Sequence, residues 1–347
     1  MHYVGVDLHK EQSWFYVIDE YGTKFDSKSI PNSPESLKKY FETIPKPFIL
    51  AVESTYNWYF FVDIAEIYAK KVYLANSYEL KAFAKRHKKT DKIDALLIAD
   101  VLRKGYLPVV TIPDKETRRT RETLNYRMNL VKDRSRNIFR LKNLLDKLGE
   151  DSTGNFTTYK QLHEIPQEHL MPDYQKIISG YAEKIENFTR EIYLNKTLIK
   201  ERALNDEDVI NLVSIPGLDY FSATLIKTEI MDVSRFASFN RLCAYAGLAP
   251  RIHQSANKTI HGPLNINRRK NLRWILLEVV FHFIRTIPKN TEKYSAIKRK
   301  KGANTAKVVL ARDMLKIIYH ILKEKRPFYI NKTFTVRPEA ASVLLRA

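Results

Sequence analysis

Short apolar runs separated by polar turns dominate the first hundred residues. Between residues 2 and 30, three runs rich in β-branched and aromatic side chains predict three successive strands, and 48–52 and 71–75 predict two more. Apolar residues recur at helical spacing in three further segments, 36–43, 58–70 and 93–102. Three strands in succession predict an antiparallel meander, and the later alternation of helix and strand adds parallel strands, so this region is α/β.

The middle of the chain follows a seven-residue period instead. A proline-free segment, 118–148, places four apolar residues at one heptad position: Leu124, Val131, Ile138 and Leu145. After a polar loop the period returns with four isoleucines: Ile178, Ile185, Ile192 and Ile199. The pattern predicts two coiled-coil helices that form a rigid arm. It leaves open whether they pair with each other or with a second subunit.

The last third of the chain is predicted to be mainly helical. Helices at 209–212 and 220–230 flank a Ser-Ile-Pro-Gly-Leu turn, which resembles a helix-hairpin-helix and fits a plain helix–turn–helix connection as well. Further helices are predicted at three places, 239–245, 271–287 and 308–322. Residues 247–263 have the composition of a loop. The sequence thus predicts three domains, an α/β domain at 1–105, a coiled-coil arm at 106–205 and a helical domain at 206–347.

Basic side chains are concentrated at one end of the chain. The sequence has 59 Lys and Arg against 39 Asp and Glu, a net charge of +20, and residues 251–347 hold 22 basic and 5 acidic side chains whereas residues 1–100 hold 14 of each. Solubility does not require such segregation, so nucleic acid is the expected partner. Residues 293–307 alternate basic and small side chains like a loop that follows phosphates. Backbone contacts are predicted at Arg268, Arg269, Lys270, Lys298, Arg299, Lys300 and Lys301.

Composition also excludes several classes of protein. A single cysteine, Cys243, rules out an internal disulfide framework and a multi-cysteine metal site. No apolar run approaches the roughly 18 residues of a membrane span. The opening segment, MHYVGVDLHK, lacks the apolar region of a signal peptide, so we expect a cytoplasmic protein. Zinc-finger spacing, a P-loop and a dinucleotide fingerprint are all missing from the sequence.

Four carboxylates suggest a metal site in the first domain. Asp7 lies inside an apolar strand, Glu53 ends another, and Asp91 and Asp94 share one face at the start of a helix. The order of elements is that of a ribonuclease-H-like sheet, in which the first and fourth strands are neighbours. Converging carboxylates require a cation, and oxygen ligands suit Mg²⁺ or Mn²⁺. Taken singly, each acid has an ordinary role as a helix cap or strand-end charge, and His9 beside Asp7 is either a proton donor or a solvated histidine.

These residues amount to a resemblance. The segments VGVDLHK, AVEST and KTDKIDA resemble the RuvC-like domain of the DEDD insertion-sequence transposases, a family that includes pilin-gene invertases and bridge-RNA-guided recombinases. The segments SIPGL, RF and AYAGLAPR, with 255–258, resemble the family's C-terminal transposase domain. The resemblance implies a DNA-cutting site made by Asp7, Glu53, Asp91 and Asp94, with bound Mg²⁺ or Mn²⁺. It also implies target and donor DNA and a structured guide RNA encoded by the element.

Ser255 is the candidate nucleophile. Taken alone, a serine in a basic loop is most simply a phosphate contact, with Arg251 and Lys258 as neighbouring cations. Members of the family carry a serine at this place, and the resemblance implies that it bonds covalently to a DNA phosphate. The usual next residue is glycine, and Ala256 here reduces the backbone freedom of the loop. Because Ser255 is far in sequence from the carboxylates, we expect an active site assembled between domains or subunits.

The sequence therefore predicts a DNA transposase or recombinase that works as a dimer or tetramer through its coiled coil. One alternative is a metal-dependent, structure-specific nuclease similar to a Holliday-junction resolvase, in which Ser255 is a spectator. Another is a non-catalytic nucleic-acid scaffold that uses the same basic surface. Replacement of Ser255 by alanine separates the first two hypotheses, and dependence on metal separates both from the third.

Overall fold

A computed structural model of the protein describes residues 1–83, 90–255, 258–264, 269–330 and 333–334, and only the backbone in 251–255, 258–264, 330 and 333–334. The chain forms two units, Met1–Pro113 and Asp114–Ala347. It is mixed α/β, with a six-stranded sheet in the first unit and mostly helices in the second. The arm belongs to the same unit as the helices that follow it, and the finer division at 105 and 205 stays a prediction.

Outside residues 84–89, which are not described, the first unit contains one sheet and four helices. Its strands are β1 (His2–Leu8), β2 (Gln12–Ile18), β3 (Lys24–Pro31), β4 (Phe48–Glu53), β5 (Lys71–Ala75) and β6 (Val109–Val110). Its helices are α1 (Pro34–Thr43), α2 (Trp58–Tyr68), α3 (Ser77–Leu80) and α4 (Asp91–Arg103). The strand order is β3-β2-β1-β4-β5-β6, with β1, β4 and β5 parallel and the other pairings antiparallel. This order is compatible with a ribonuclease-H-like DEDD transposase domain.

The alternation of side chains along β1 separates a core face from a functional face. Val4, Val6 and Leu8 point into a core shared with α1 and α2. The intervening positions, Gly5 and Asp7, share the opposite face, where α4 packs on β1 and β2. One strand therefore supports the apolar core on one side and presents a carboxylate on the other.

Gly5 lets helix α4 lie directly on the sheet. A Cβ atom at this position would stand 2.1 Å from the carbonyl oxygen of Ala95 and 2.4 Å from the backbone nitrogen of Ala99. Both obstacles are backbone atoms, so neither is relieved by a side-chain rotation. A glycine in a strand interior often marks such a close approach. The short distance keeps the first turn of α4 close to Asp7.

Gly5→Ala is expected to destabilise the first unit by about 1–3 kcal/mol, because α4 must move away from β1. The displacement also carries Asp91 and Asp94 away from Asp7. Thermal unfolding followed by circular dichroism, with and without Mn²⁺, measures both effects. The matched control is Gly180→Ala, since Gly180 is helical and has open space around it, and this change should stabilise slightly. An unchanged unfolding temperature for Gly5→Ala would contradict the close-packing argument.

The second unit is built from nine helices in the part of it that the structure describes, with two small hairpins. The helices are α5 (Lys115–Leu148), α6 (Tyr159–His163), α7 (Pro172–Ala203), α8 (Glu207–Val213), α9 (Tyr220–Ile230), α10 (Phe239–Tyr245), α11 (Lys270–Thr286), α12 (Pro288–Lys301) and α13 (Ala303–Glu324). The hairpin strands are β7 (Pro250–Ser255), β8 (Lys258–Leu264), β9 (Tyr329–Ile330) and β10 (Thr333–Phe334). Among the helices of the described residues, none combines the length and hydrophobicity needed to cross a membrane.

Helices α5 and α7 pair with each other in an antiparallel arrangement. Arg202 near the end of α7 donates to the Thr123 hydroxyl near the start of α5 over 3.3 Å. At the opposite end of the pair, Leu141 and Leu145 pack with Ile178. The isoleucine positions that define the heptad are all buried within the chain: Ile178, Ile185, Ile192 and Ile199. The sequence left open whether these helices pair with each other or with a second subunit. In the structure they pair with each other, because the isoleucine stripe is covered by the chain itself.

Two segments differ from the sequence-based prediction. Residues 247–263 were expected to be a loop, but most of them belong to the antiparallel hairpin of β7 and β8. The basic segment 293–307 was expected to be a loop that follows phosphates, but it forms the end of α12 and the start of α13, joined at Gly302. Helix α12 fully buries none of its residues, and its apolar contact with the core includes only the half-buried Tyr294 and Ile297. Two apolar positions are too few to reveal a helical period in its sequence.

The Ser-Ile-Pro-Gly-Leu turn joins α8 to α9, as the sequence predicts. Gly217 has a positive φ of 94°, and a Cβ there would lie 2.6 Å from the Cβ of His282 on α11. The hydroxyl of Ser214 accepts a hydrogen bond from the backbone of Phe328 over 2.7 Å. These contacts place the turn in the packed interior of the unit. Its assignment as a phosphate-binding helix-hairpin-helix stays a prediction.

Candidate active site

Strand pairing places Asp7 and Glu53 at one edge of the sheet. Strands β1 and β4 are parallel neighbours, with Val6 opposite Val52, and each carboxylate residue follows directly. Asp7 is the next to last residue of β1 and Glu53 is the last residue of β4. The carboxyl ends of parallel strands meet at the same edge, so the pairing brings together two acids that are 46 positions apart in sequence.

Helix α4 contributes the other two carboxylates from its first turn. The hydroxyl of Thr90 caps the helix by accepting from the backbone nitrogen of Ile93 over 3.3 Å. The sequence allowed Asp91 to be this cap, but Thr90 has that role and Asp91 remains more than half exposed. Asp94, three residues on, is half-buried. The first turn of α4 therefore directs acidic side chains to the edge where β1 ends.

The pKa of Asp7 shows how closely the four acids converge. The pKa of this side chain is raised from the ordinary value of 3.8 to about 6, and burial is the largest cause. The negative charges of Asp94, Asp91 and Glu53 contribute to this rise, while His9 opposes it. All the predicted carboxylates thus act on the ionisation of Asp7. A cluster of this kind holds its charges at neutral pH only at a cost in free energy, unless a cation binds.

His9 joins this cluster through both of its acidic neighbours. Its Nε2 atom lies 3.2 Å from the Oδ2 atom of Asp7 and 3.5 Å from the Oδ1 atom of Asp91. Its carbonyl oxygen accepts hydrogen bonds from the side-chain amides of Asn32, over 2.8 Å, and Asn57, over 2.6 Å. The histidine that the sequence treated as optional is therefore held at the site. Its position two residues after Asp7 was the available signal.

The donor set fits a divalent cation. One ligand atom each from Asp7, His9 and Asp91 lie within 4.8 Å of one another, close enough for a single ion to contact all three. The buried carboxylate of Asp7 gains charge compensation when such an ion binds, which offsets the cost of ionising it. Carboxylate oxygens are hard ligands that suit Mg²⁺ and Mn²⁺, and the imidazole nitrogen is a ligand that Mn²⁺ accepts more readily.

In the second unit, the structure places Ser255 at the end of β7. Its partner in the hairpin is Lys258, the first residue of β8, and Arg251 lies near the start of β7. For these residues the structure describes the backbone alone. Ala256 and Arg268 lie outside the described residues. The hairpin brings the candidate nucleophile and Lys258 to the same end of two short strands.

Arg269 has internal partners rather than a free guanidinium. Its Nε atom donates to the Tyr245 hydroxyl over 2.7 Å and lies 3.3 Å from the buried carboxylate of Glu229. The Tyr245 hydroxyl in turn donates to the carbonyl of Glu229 over 3.2 Å. Arg273 donates to the carbonyl of Gly247 over 2.8 Å. These bonds tie together the two chain segments that lead into and out of the Ser255 hairpin.

The remaining basic residues predicted to contact nucleic acid are exposed. Lys270 begins α11, and the last four residues of α12 form one basic helix end: Lys298, Arg299, Lys300 and Lys301. Lys293, on the same helix, pairs with Asp313 over 2.6 Å. The C-terminal end of α12 is a solvent-facing cluster of positive charge, as binding to a nucleic-acid backbone requires.

Two protein-family models match most of the chain. The DEDD transposase model, described as "Transposase", matches residues 4–149, and the model described as "Transposase IS116/IS110/IS902 family" matches residues 210–295. The chain belongs to this transposase family. The transposase is a DNA-recombining enzyme, and membership of the DEDD group implies use of a divalent metal. The family resemblance read from the sequence is confirmed.

Characterised relatives agree with this assignment. This chain is 27% identical over 265 residues to the transposase for insertion sequence element IS1111A of Coxiella burnetii, and the match covers 74% of this chain and 72% of that protein. It is 26% identical over 284 residues to the transposase for element IS1328 of Yersinia enterocolitica, and the match covers 79% of this chain and 81% of that protein. A pilin gene-inverting protein of Moraxella bovis is 31% identical over 127 residues, which is 34% of this chain and 37% of that protein.

Proposed function

We propose that this transposase cuts and exchanges DNA strands through a covalent bond between Ser255 and a DNA phosphate, with Asp7, Glu53, Asp91 and Asp94 holding Mg²⁺ or Mn²⁺. The observation that carries the proposal is the convergence of Glu53, Asp91 and Asp94 on Asp7, through strand pairing and the first turn of α4, in a chain of this family. Denaturing electrophoresis of labelled DNA tests it. A slowly migrating, protease-sensitive adduct is the expected product.

Asp7, Glu53, Asp91 and Asp94 would hold the divalent cation at this edge of the sheet. The cation would neutralise the charge that develops on the phosphate oxygens during transfer. Asp7 provides the buried carboxylate, and Asp91 and Asp94 approach it from the helix end. His9 keeps the carboxylates of Asp7 and Asp91 in place through its two contacts.

Ser255 supplies the nucleophile in this proposal. Its hydroxyl oxygen forms a bond to phosphorus, the bond from phosphorus to the departing DNA oxygen breaks, and the hydroxyl proton ends on that oxygen. The number of phosphate ester bonds is unchanged, so the energy of the cut bond is kept for rejoining. Arg251 and Lys258 on the same hairpin are the cations nearest in sequence to the developing charge.

The alternative function is a metal-dependent nuclease in which water attacks the phosphate and Ser255 is a spectator. The observation that favours it is the completeness of the carboxylate cluster within the first unit, since Asp7, His9 and Asp91 offer a cation site without any residue of the hairpin. Equal cutting by the wild type and Ser255→Ala, with free DNA ends, would support this function.

The proposed partners are target DNA, donor DNA and a structured guide RNA encoded by the element. The basic C-terminal third, with 22 basic and 5 acidic residues, supports a large contact with nucleic-acid backbones. A DNA-binding role of this size places the protein beside the chromosome in the cytoplasm. The relation to pilin gene-inverting proteins supports strand exchange over simple cutting, because inversion requires rejoining.

We further propose that the transposase is a homo-oligomer assembled through the α5–α7 arm. Because the isoleucine stripe is covered within the chain, the contact must use other faces of the arm. Large apolar side chains are exposed there: Phe139, Ile177, Tyr193, Leu194 and Leu198. A second subunit packed on these residues would remove them from water.

Replacing the four exposed basic residues at the end of α12 with alanine is expected to weaken nucleic-acid binding. Each lost phosphate contact lowers the salt dependence of log K by about one unit, so the slope should fall by up to about four. Titrations between low and moderate salt measure the slope. The control removes the same charge from the first unit by replacing Lys38, Lys39, Lys70 and Lys71. If both variants show the same slope of log K against log salt concentration, α12 does not contact the nucleic-acid backbone.

A further inference from the structure

Two exposed tyrosines flank the carboxylate edge of the sheet. Tyr56 follows Glu53 by three residues and is 78% exposed, and Tyr78 follows the last residue of β5 by three and is 58% exposed. The core of this unit is filled by other aromatic rings, among them Phe15, Phe41 and Phe61. Packing therefore does not account for two large rings left in water at the edge where the acids meet.

The segments that carry these rings are fixed to the strand ends. The backbone nitrogen of Ser54 donates to the carbonyl of Ala75 over 3.1 Å, and the hydroxyls of Ser54 and Ser77 are 3.2 Å apart. Asn57 donates to the carbonyl of His9 over 2.6 Å, which ties the same loop to β1. Residues 54–57 are thus held between the ends of β1 and β5. The backbone that positions Tyr56 is pre-organised by the same strand ends that position the acids.

We propose that Tyr56 and Tyr78 stack on unpaired nucleobases beside the phosphate presented to the carboxylates. The inference rests on the proposed function, and it names the substrate of this edge as DNA with locally unpaired bases. Three residues span at most about 11 Å, so Tyr56 lies within reach of bases about three nucleotides from a phosphate at Glu53. Stacking is available to every base and adds no negative charge, so it anchors a strand at an acidic edge without sequence preference.

Electrostatics explains why rings serve here better than basic side chains. The acids Asp7, Glu53, Asp91 and Asp94 need a cation, and a lysine among them would compete with it for their carboxylates. A tyrosine ring offers a neutral surface to a base, while the ion neutralises the phosphate. The two tyrosines and the carboxylates therefore divide the recognition of one DNA strand, the rings contacting its bases and the carboxylate site contacting a nearby phosphate.

The test uses full-length protein and two DNA probes, a duplex with a three-nucleotide bulge containing 2-aminopurine and the same duplex fully paired. Wild-type protein is expected to quench the bulged probe, because stacking on a ring quenches this base. The double variant Tyr56→Ala/Tyr78→Ala should lose the quenching and bind the bulged probe at least fivefold more weakly, with less than a twofold change for the paired duplex. Tyr56→Phe/Tyr78→Phe should retain both properties.

The matched control is Tyr21→Ala. Tyr21 is 82% exposed in the same unit, but it lies in the turn after β2, which runs antiparallel to β1 and so ends at the opposite edge of the sheet. Equal weakening of both probes, or quenching that survives in the double variant, would overturn the inference. Unchanged DNA binding together with altered self-association in light scattering would show that the rings face a protein. Failure of the wild type to bind either probe would count against the proposed function itself.

Discussion

Ser255→Ala is expected to abolish the covalent protein–DNA adduct and strand exchange, and to leave nucleic-acid binding nearly unchanged. This is the expected result because the proposed mechanism makes the Ser255 hydroxyl the nucleophile, which must come within about 3.5 Å of phosphorus, and an alanine methyl group has no lone pair with which to attack. Binding survives because one neutral hydroxyl contributes little beside 22 basic side chains in residues 251–347. Denaturing electrophoresis of end-labelled DNA, with and without protease, measures the adduct.

Two further variants make the result specific. Ser255→Cys is expected to retain a trace of adduct at most, since a thiolate attacks phosphorus but forms a different bond. Ser295→Ala removes an exposed serine of α12 in the same basic unit and should cut and bind like the wild type. If Ser255→Ala cuts as fast as the wild type and leaves free ends, water is the nucleophile and the nuclease hypothesis replaces the recombinase mechanism.

Asp7→Asn is expected to abolish metal-dependent cutting and, without metal, to make the first unit more stable at neutral pH. The folded pKa of Asp7 is about 6, against an ordinary value of 3.8, because burial and the neighbouring acids favour the neutral form. The folded state therefore holds a proton that the unfolded state releases between these two pH values. Ionising Asp7 as the pH rises through this window costs about 3 kcal/mol of stability, and asparagine avoids that cost.

Thermal unfolding at several pH values measures the effect. In the absence of divalent ions, Asp7→Asn should unfold at a higher temperature than the wild type at pH 8, and the difference should disappear near pH 4. Adding Mg²⁺ or Mn²⁺ should stabilise the wild type more than the variant. Asp100→Asn on α4 is the control in the same unit, because Asp100 pairs with Arg103 and Lys104 instead of joining the cluster. If Asp7→Asn unfolds at a lower temperature than the wild type at pH 8, the free-energy cost assigned to the ionised Asp7 side chain is contradicted.

The candidate site was largely predictable from the positions of its acids. An aspartate inside the apolar strand of VGVDL and a glutamate at the end of FILAV are anomalies that a sequence displays directly. Strand and helix order then made the first and fourth strands neighbours, which the pairing of Val6 with Val52 confirms. The contribution of His9 and the close approach at Gly5 were not predicted, because both depend on where α4 crosses the sheet.

The errors of prediction occurred where pairing or exposure, rather than local pattern, determines structure. The β7–β8 hairpin has a mixed polar sequence, and its strands exist because they bond to each other. Helix α12 fully buries no residue and packs on the core through the half-buried Tyr294 and Ile297, which are too few to form the apolar stripe by which helices are detected. The internal partners of Arg269, which are Tyr245 and Glu229, were not predicted either, because both are distant from it in sequence.

The sequence by itself determined the strand and helix order of the first unit, the two long helices of the arm, the segregation of charge and the family. Each of these depends on local periodicity, on composition or on motifs, all of which are written along the chain. Only the tertiary structure decided that the isoleucine stripe is covered by α5, that α4 rests on Gly5, and that Tyr56 and Tyr78 remain exposed beside the acids. Those outcomes depend on contacts between residues far apart in sequence, whose free energy exists only once the elements pack together.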